Sequence, residues 1–94
     1  MNSIRLLVRN ENGIHARPLG VFVEAAGAFR DTRITVRNVT TDGPAKNAKS
    51  ALMVLTVKAK KGHEIEVTAD GPEEAEALAA IRAAVESGLG EQPG

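Results

Sequence analysis

The chain has 94 residues, 43% of them hydrophobic, and its 12 basic side chains are balanced by 12 acidic ones. This length and apolar content predict one folded domain with a single core. The balanced charge excludes a broadly basic nucleic-acid-binding surface, and two aromatic residues are too few for base stacking. The absence of cysteine excludes a disulfide framework, a thiolate nucleophile and the usual structural zinc sites.

Neither the N-terminal residues nor any later segment has the pattern of a secretion signal or a membrane span. We therefore expect a cytoplasmic protein that does not insert into membranes. It is also expected to be monomeric and to bind no nucleic acid. Residues 1–90 are expected to form the single domain, and residues 91–94 a loose C-terminal tail.

The first third of the chain predicts a strand followed by a helix. Ile4, Leu6 and Val8 alternate with polar residues, which is the period of a half-buried strand. From Ala16 the apolar residues recur every three or four positions, which predicts a helix that ends near Arg30. The residues predicted on its buried face are Leu19, Phe22, Val23, Ala26 and Phe29.

The middle of the chain predicts two strands and a short helix. Ile34 and Val36 alternate with polar neighbours and mark the second strand. The Asp-Gly-Pro run at 42–44 is a turn signal that predicts a reversal into a short third strand. Ser50 precedes the apolar run 51–55 and is a favoured N-cap, which predicts a short helix.

The last third predicts a strand and a helix. Lysines 58, 60 and 61 are expected in a solvated turn, and Ile65, Val67 and Ala69 alternate as a fourth strand. Asp70 as a capping candidate and Pro72 in the first turn predict the start of the final helix. The buried face and end of that helix are predicted at Leu78, Ile81, Val85 and Gly88.

The resulting order, β-α-β-β-α-β-α, predicts an α+β domain. The economical arrangement is a four-stranded antiparallel sheet covered on one face by three helices. A ferredoxin-like split βαβ arrangement is the alternative.

His15 stands where a loop becomes the first predicted helix. The first N–H groups of a helix have no partner within it and lie at the positive end of its dipole, so they bind anions. A phosphoryl group on His15 would meet the amides of Ala16 and Arg17, and the Arg17 guanidinium would add a charged donor. Pro18 would fix the first turn. Considered alone, however, His15 could simply cap the helix.

Three segments resemble the HPr family, the histidine-containing phosphocarriers of the bacterial sugar phosphotransferase system. Residues 13–18, Gly-Ile-His-Ala-Arg-Pro, resemble the family's active-site segment. Residues 49–53, Lys-Ser-Ala-Leu-Met, resemble its regulatory-serine segment, and residues 86–91 resemble its C-terminal segment. The resemblance implies an open-faced β-sandwich. It also implies that Nδ1 of His15 accepts phosphate from enzyme I and passes it to the IIA domains of sugar transporters.

The resemblance also implies roles for other residues. Arg17 would steady the phosphate, the Ala16 amide would bind it, and Pro18 would set the first helical turn. Ser50 would be the target of an HPr kinase/phosphorylase in some bacteria, although a plain N-cap role remains open. The residues implied in partner docking are Gly20, Lys49, Ala51, Leu52 and Leu55. No cofactor and no metal are expected, because His15 and His63 are isolated histidines without ligand spacing.

The sequence departs from the family pattern in two places near these segments. The interval from His15 to Ser50 is longer than expected for the family, and the excess is placed in the loop 40–45. Ala51 stands where the family often has a larger apolar residue.

Two other functions remain as alternatives to the carrier. A regulatory binding module would use the surface around Ser50 without phosphoryl transfer, but it would not need His15 and Arg17. A self-contained enzyme with His15 as nucleophile would need a second acid/base group, a Gly-rich phosphate loop or metal ligands, and none is recognisable. The sequence therefore favours a carrier that is not itself an enzyme.

Overall fold

The computed structural model describes residues 1–91 and contains four strands and three helices in the predicted order β-α-β-β-α-β-α. The elements are β1 (Asn2–Leu7), α1 (Ala16–Gly27), β2 (Arg33–Asn38), β3 (Lys46–Asn47), α2 (Ala51–Leu55), β4 (Glu64–Asp70) and α3 (Glu74–Glu86). The short strand β3 and the short helix α2 are confirmed where the turn signal and the serine N-cap predicted them.

The strands form one antiparallel sheet in the order β1-β4-β2-β3. Its register aligns the buried positions of neighbouring strands, so that Leu6 lies opposite Ile65 and Val36 opposite Val67. Strand β4 lies between β1 and β2, and β1 forms an edge of the sheet. A ferredoxin-like arrangement would instead place β1 inside the sheet, between β3 and β4. The predicted α+β open-faced sandwich is therefore confirmed over its ferredoxin-like alternative.

One face of the sheet carries the core and the three helices. Alternation along each strand places apolar side chains on that face, because successive residues of a strand point to opposite sides. Helix α3 packs on α1 and on strands β1 and β4, while α2 packs on α1 and β3. The largest buried side chains are those of Phe22, Ile14, Ile34, Ile65, Ile81 and Leu89.

The other face is open and charged. Glu66 of β4 lies between Arg5 of β1 and Arg37 of β2 in register. Arg37 Nε donates to Glu66 Oε1 at 3.0 Å, and Arg5 Nε lies 3.5 Å from Glu66 Oε2. The hydrogen bond from Arg37, supported by the charges of both arginines, holds the pKa of Glu66 below its usual value.

The end of α1 differs from its prediction near Arg30. The helix ends at Gly27, and Phe29 N–H turns back to the carbonyl of Ala26 at 3.3 Å. Phe29 still packs against the core, although it has left the helix. The ammonium of Lys49 donates to the carbonyls of Phe29 and Arg30, so a residue from another segment binds the connection that follows the helix.

The start of α3 also differs from its prediction. Asp70 still belongs to β4, and Pro72 lies in the turn before the helix, which begins at Glu74. The Glu73 N–H donates to Oγ1 of Thr32 at 3.0 Å, so the cap comes from the segment before β2. Asp70 lies three residues before the N-cap Glu73, and its carboxylate faces the N-terminal ammonium of Met1 at 3.5 Å instead of the helix.

The longest helix, α3, has 13 residues. Within residues 1–91, no helix combines the length and apolar character that a bilayer span requires.

Candidate phosphoacceptor site

His15 occupies the N-cap position of α1, with an extended backbone at φ −145° and ψ 158°. Its side chain is exposed and makes no capping hydrogen bond. Within residues 1–91 neither ring nitrogen has a hydrogen-bond partner. The alternative in which the imidazole serves as a helix cap is therefore not realised, and the ring is open to a reaction partner.

The residue after His15 has an unusual backbone. Ala16 has φ +54°, in the left-handed region that a non-glycine residue adopts only at a cost of roughly 1–2 kcal/mol. Such strained residues concentrate at functional sites, where the surrounding structure holds them. Pro18, which is buried in the first turn as predicted, supports the helix immediately beyond this point.

Arg17 is exposed beside His15 and lies against the C-terminal segment. A Cβ built on Gly90 would be 3.4 Å from Arg17 Nε. Arg17 has no ion pair or side-chain hydrogen bond with any residue of the described 1–91 range. Its guanidinium donors are therefore available to an anion on the neighbouring imidazole.

Hydrogen bonds hold the loop 10–14 before His15, one within the loop and one to the connection between α2 and β4. The side-chain amide of Asn10 donates to the carbonyl of Gly13 at 2.8 Å. Ile14 is buried, and its N–H donates to the carbonyl of Ala59 at 2.9 Å. His15 thus projects from a loop whose backbone is tied to the connection between α2 and β4.

An open groove of about 410 Å³ runs beside the imidazole. Besides His15, it is lined by Asn12, Ile14, Leu55, Lys58, Ala59 and Lys60. Lys58 and Lys60 were expected in a solvated turn, and their exposure agrees with that, but the fold brings both to the site. Nothing in their local sequence could have indicated this, because they lie far from His15 in the chain.

Ser50 is the N-cap of α2, as predicted. Its backbone is extended, and its Oγ accepts a hydrogen bond from the Met53 N–H at 3.3 Å. The hydroxyl therefore already lies at the amino end of a helix, although that helix has only five residues.

The predicted docking residues do not all lie together at the groove. Leu55 lines it beside His15 and is 39% exposed. Leu52 is 75% exposed on the same short helix, and Ala51 and Gly20 are also exposed. Lys49 differs, since its ammonium is bound to main-chain carbonyls of the α1–β2 connection.

Sequence reasoning missed Glu91, which was expected in the loose tail. Its Oε1 accepts from Asn10 Nδ2 at 2.8 Å and from the Asn12 N–H at 3.1 Å, and its Oε2 accepts from Asn12 Nδ2. The hydrogen bond from Asn10, followed by those from Asn12, holds the pKa of Glu91 below its usual value. Glu91 is thus anchored, and residues 92–94 of the expected tail lie outside the described range. The match of 86–91 to the family's C-terminal segment was a signal for this region but not for its contacts.

Comparison with known proteins agrees with this geometry. The family model described as the PTS HPr component phosphorylation site matches residues 2–87. The phosphocarrier protein NPr of Escherichia coli K12 is 39% identical over 84 residues, which are 89% of this chain and 90% of NPr. The crystal structure of HPr from Thermoanaerobacter tengcongensis superposes with a TM-score of 0.90 at 32% identity. That superposition covers 98% of this chain and 99% of the other.

Longer proteins also contain a similar unit. The multiphosphoryl transfer protein of Salmonella typhimurium is 40% identical over 89 residues, which are 95% of this chain. The chain spans only about a quarter of that relative's length, since the matched part is 23% of it.

Proposed function

Because the chain belongs to the HPr family of phosphotransferase-system phosphocarriers, we propose that it takes phosphate from enzyme I onto Nδ1 of His15 and donates it to IIA domains of sugar transporters. One observation carries this proposal: the imidazole of His15 is exposed and has no hydrogen-bond partner within residues 1–91, at the amino end of α1 and two residues before Arg17. The site has what a carrier needs, namely a nucleophile and a place for the charge that it acquires.

The transfer is a displacement at phosphorus. The lone pair on Nδ1 of His15 forms the new P–N bond, while the bond between phosphorus and the donor's imidazole nitrogen breaks. The electron pair of the broken bond remains on the donor nitrogen, so no water and no further reactant enter. Such a loose transition state needs in-line positioning and charge neutralisation rather than covalent help from the carrier.

Charge neutralisation comes from the residues around the ring. The amino end of α1 offers backbone donors and the positive end of its dipole. Arg17 offers a guanidinium fork, and Lys58 and Lys60 add two positive charges at the groove. Because a P–N bond is labile, the same arrangement can release the phosphoryl group to the next acceptor. In this proposal the chain is a carrier rather than an enzyme, and its partners supply the rest of each active site.

The surface beside His15 is also proposed to dock partner proteins and to be regulated through Ser50. Leu55 beside His15, with the exposed Leu52 on the same helix, forms an apolar contact for partners in the cytoplasm. Gly20, Lys49 and Ala51 are proposed to border that contact. Phosphorylation of Ser50 by an HPr kinase/phosphorylase would place close to two negative charges beside it.

The decisive experiment is incubation with phosphoenolpyruvate and enzyme I, followed by intact-mass measurement. We expect one added phosphate, lost in mild acid and stable in alkali, as a phosphoramidate should be. His15→Ala should abolish the adduct, whereas His63→Ala, which removes the other histidine, should retain it. An acid-stable adduct, or one that persists in His15→Ala, would overturn the proposal. Addition of purified IIA domains should then discharge the protein.

A further inference from the structure

The C-terminal segment crosses the site and contacts residues on both sides of His15. Glu91 binds Asn10 and Asn12 in the loop before it. Gly90 lies against Arg17, which follows His15 in the chain. Leu89, which is fully buried, fixes this crossing by inserting into the core.

The carboxylate of Glu91 satisfies donors that would otherwise be costly. Asn10 is only 1% exposed, and its side-chain amide donates to the Gly13 carbonyl and to Glu91 Oε1. Removal of the acceptor would leave a buried N–H without a partner, which is more expensive than the loss of an exposed hydrogen bond. Charge-assisted hydrogen bonds of this kind are also the stronger class.

The same carboxylate fixes Asn12 at two points. Oε1 accepts from the Asn12 main chain, and Oε2 accepts from its side-chain amide. Asn12 itself lines the groove beside His15. A single side chain therefore sets both the backbone path of the loop and the orientation of a residue that faces the reacting ring.

We propose that Glu91 is a positioning residue of the phosphoacceptor site, which holds the loop 10–14 through Asn10 and Asn12 and so orients His15 toward its phosphoryl donor. This inference rests on the proposed carrier function. Glu91 does not contact the phosphate in this proposal. Its effect is on geometry, because a small misplacement of a reacting group costs rate without loss of binding.

The test compares Glu91→Gln with Glu86→Gln, a control on the exposed last turn of α3. Glutamine keeps the size of the side chain but presents an NH₂ group where the carboxylate has two acceptor oxygens. The loop therefore loses an acceptor. We expect the kcat for phosphorylation by enzyme I to fall roughly three- to tenfold while KM stays within about twofold, since the apolar docking contact is untouched. Glu86→Gln should behave as wild type.

Two further measurements test whether the effect of Glu91 runs through Asn10 and Asn12. In ¹H–¹⁵N spectra the side-chain amide signals of Asn10 and Asn12 should shift in Glu91→Gln but not in Glu86→Gln. Asn12→Ala combined with Glu91→Gln should slow transfer little more than Glu91→Gln alone, because the Asn12 side chain acts on the loop through the same carboxylate.

The outcomes distinguish this inference from the carrier function. If the wild type takes up no phosphate, the carrier function fails, while the amide signals still test the contact. If the wild type is phosphorylated and Glu91→Gln matches it in kcat, the positioning role is wrong. A rise in KM at unchanged kcat, or unchanged Asn12 signals, would also contradict it.

Discussion

Gly13 lies directly against the main chain of Ala59. A Cβ built on Gly13 would be 2.3 Å from the Ala59 carbonyl oxygen and 2.8 Å from Lys60 Cα. Gly13 also has φ +60°, in the left-handed region that glycine adopts without steric cost. The loop that presents His15 can approach the α2–β4 connection this closely only because residue 13 lacks a side chain.

Gly13→Ala should therefore destabilise the protein strongly, because the new methyl meets backbone that cannot rotate away. We expect a loss of about 2–4 kcal/mol in the free energy of unfolding, measured by urea denaturation. Gly20→Ala is the matched control. Its Cβ would meet nothing within 4 Å inside α1, and alanine should raise stability by about 0.5–1 kcal/mol. Equal stability of the two variants would refute the close-contact explanation.

Arg17→Ala should slow phosphoryl transfer far more than it affects folding. An exposed arginine without an ion pair within residues 1–91 contributes little to stability, so we expect a change below about 0.5 kcal/mol. The loss of its donors to the phosphate should lower the transfer rate at least tenfold. Intact-mass measurements on samples quenched at successive times give the transfer rate, and thermal unfolding gives the stability. Parallel losses in both would indicate a structural role instead.

Ser50→Asp tests the hypothesis that phosphorylation of Ser50, the N-cap of α2, regulates the protein. Aspartate is as good an N-cap as serine, and its charge is favoured at an amino terminus, so stability should be nearly unchanged. Its charge would lie beside the surface that meets an already negative donor, and phosphate uptake from enzyme I should fall severalfold, most at low salt. Ser50→Ala is the control, which should lose about 1 kcal/mol with the cap while uptake stays at the wild-type rate. Wild-type uptake by Ser50→Asp at every salt concentration would leave Ser50 as a cap only.

Glu66→Gln should reduce stability at neutral pH but not in acid. The pKa of Glu66 is lowered in the folded protein, so its contribution is complete above the ordinary value of 4.5 and is lost as pH falls through the lowered value. The side chain is 25% exposed, so the difference from wild type at pH 7 should be below about 1 kcal/mol. Urea unfolding between pH 3 and pH 7 measures it, with the exposed Glu24→Gln as control. A difference independent of pH would contradict the ion-pair account.

Short-range chemistry explains which elements were predictable. Ser50 and the turn at 42–44 are local signals, and they placed α2 and β3 correctly because a cap or a turn depends on neighbours in the chain. The two misplaced helix ends have long-range causes. Lys49 pairs with the carbonyls after α1, and Thr32 caps α3, so each boundary depends on a residue from another segment.

The fold class and the candidate residues of the site were predictable from the sequence, because apolar periodicity and the run 13–18 are properties of consecutive residues. The sequence could not determine what surrounds His15. Lys58 and Lys60 reach the groove, and Glu91 reaches Asn10 and Asn12, only after the sheet and helices have packed. Contacts between residues so far apart in the chain leave no periodic or local signal, since they arise from the packing of whole elements around one core. The proposed phosphoacceptor is thus indicated by neighbouring residues in the chain, whereas its orientation and charge environment depend on how distant elements pack together.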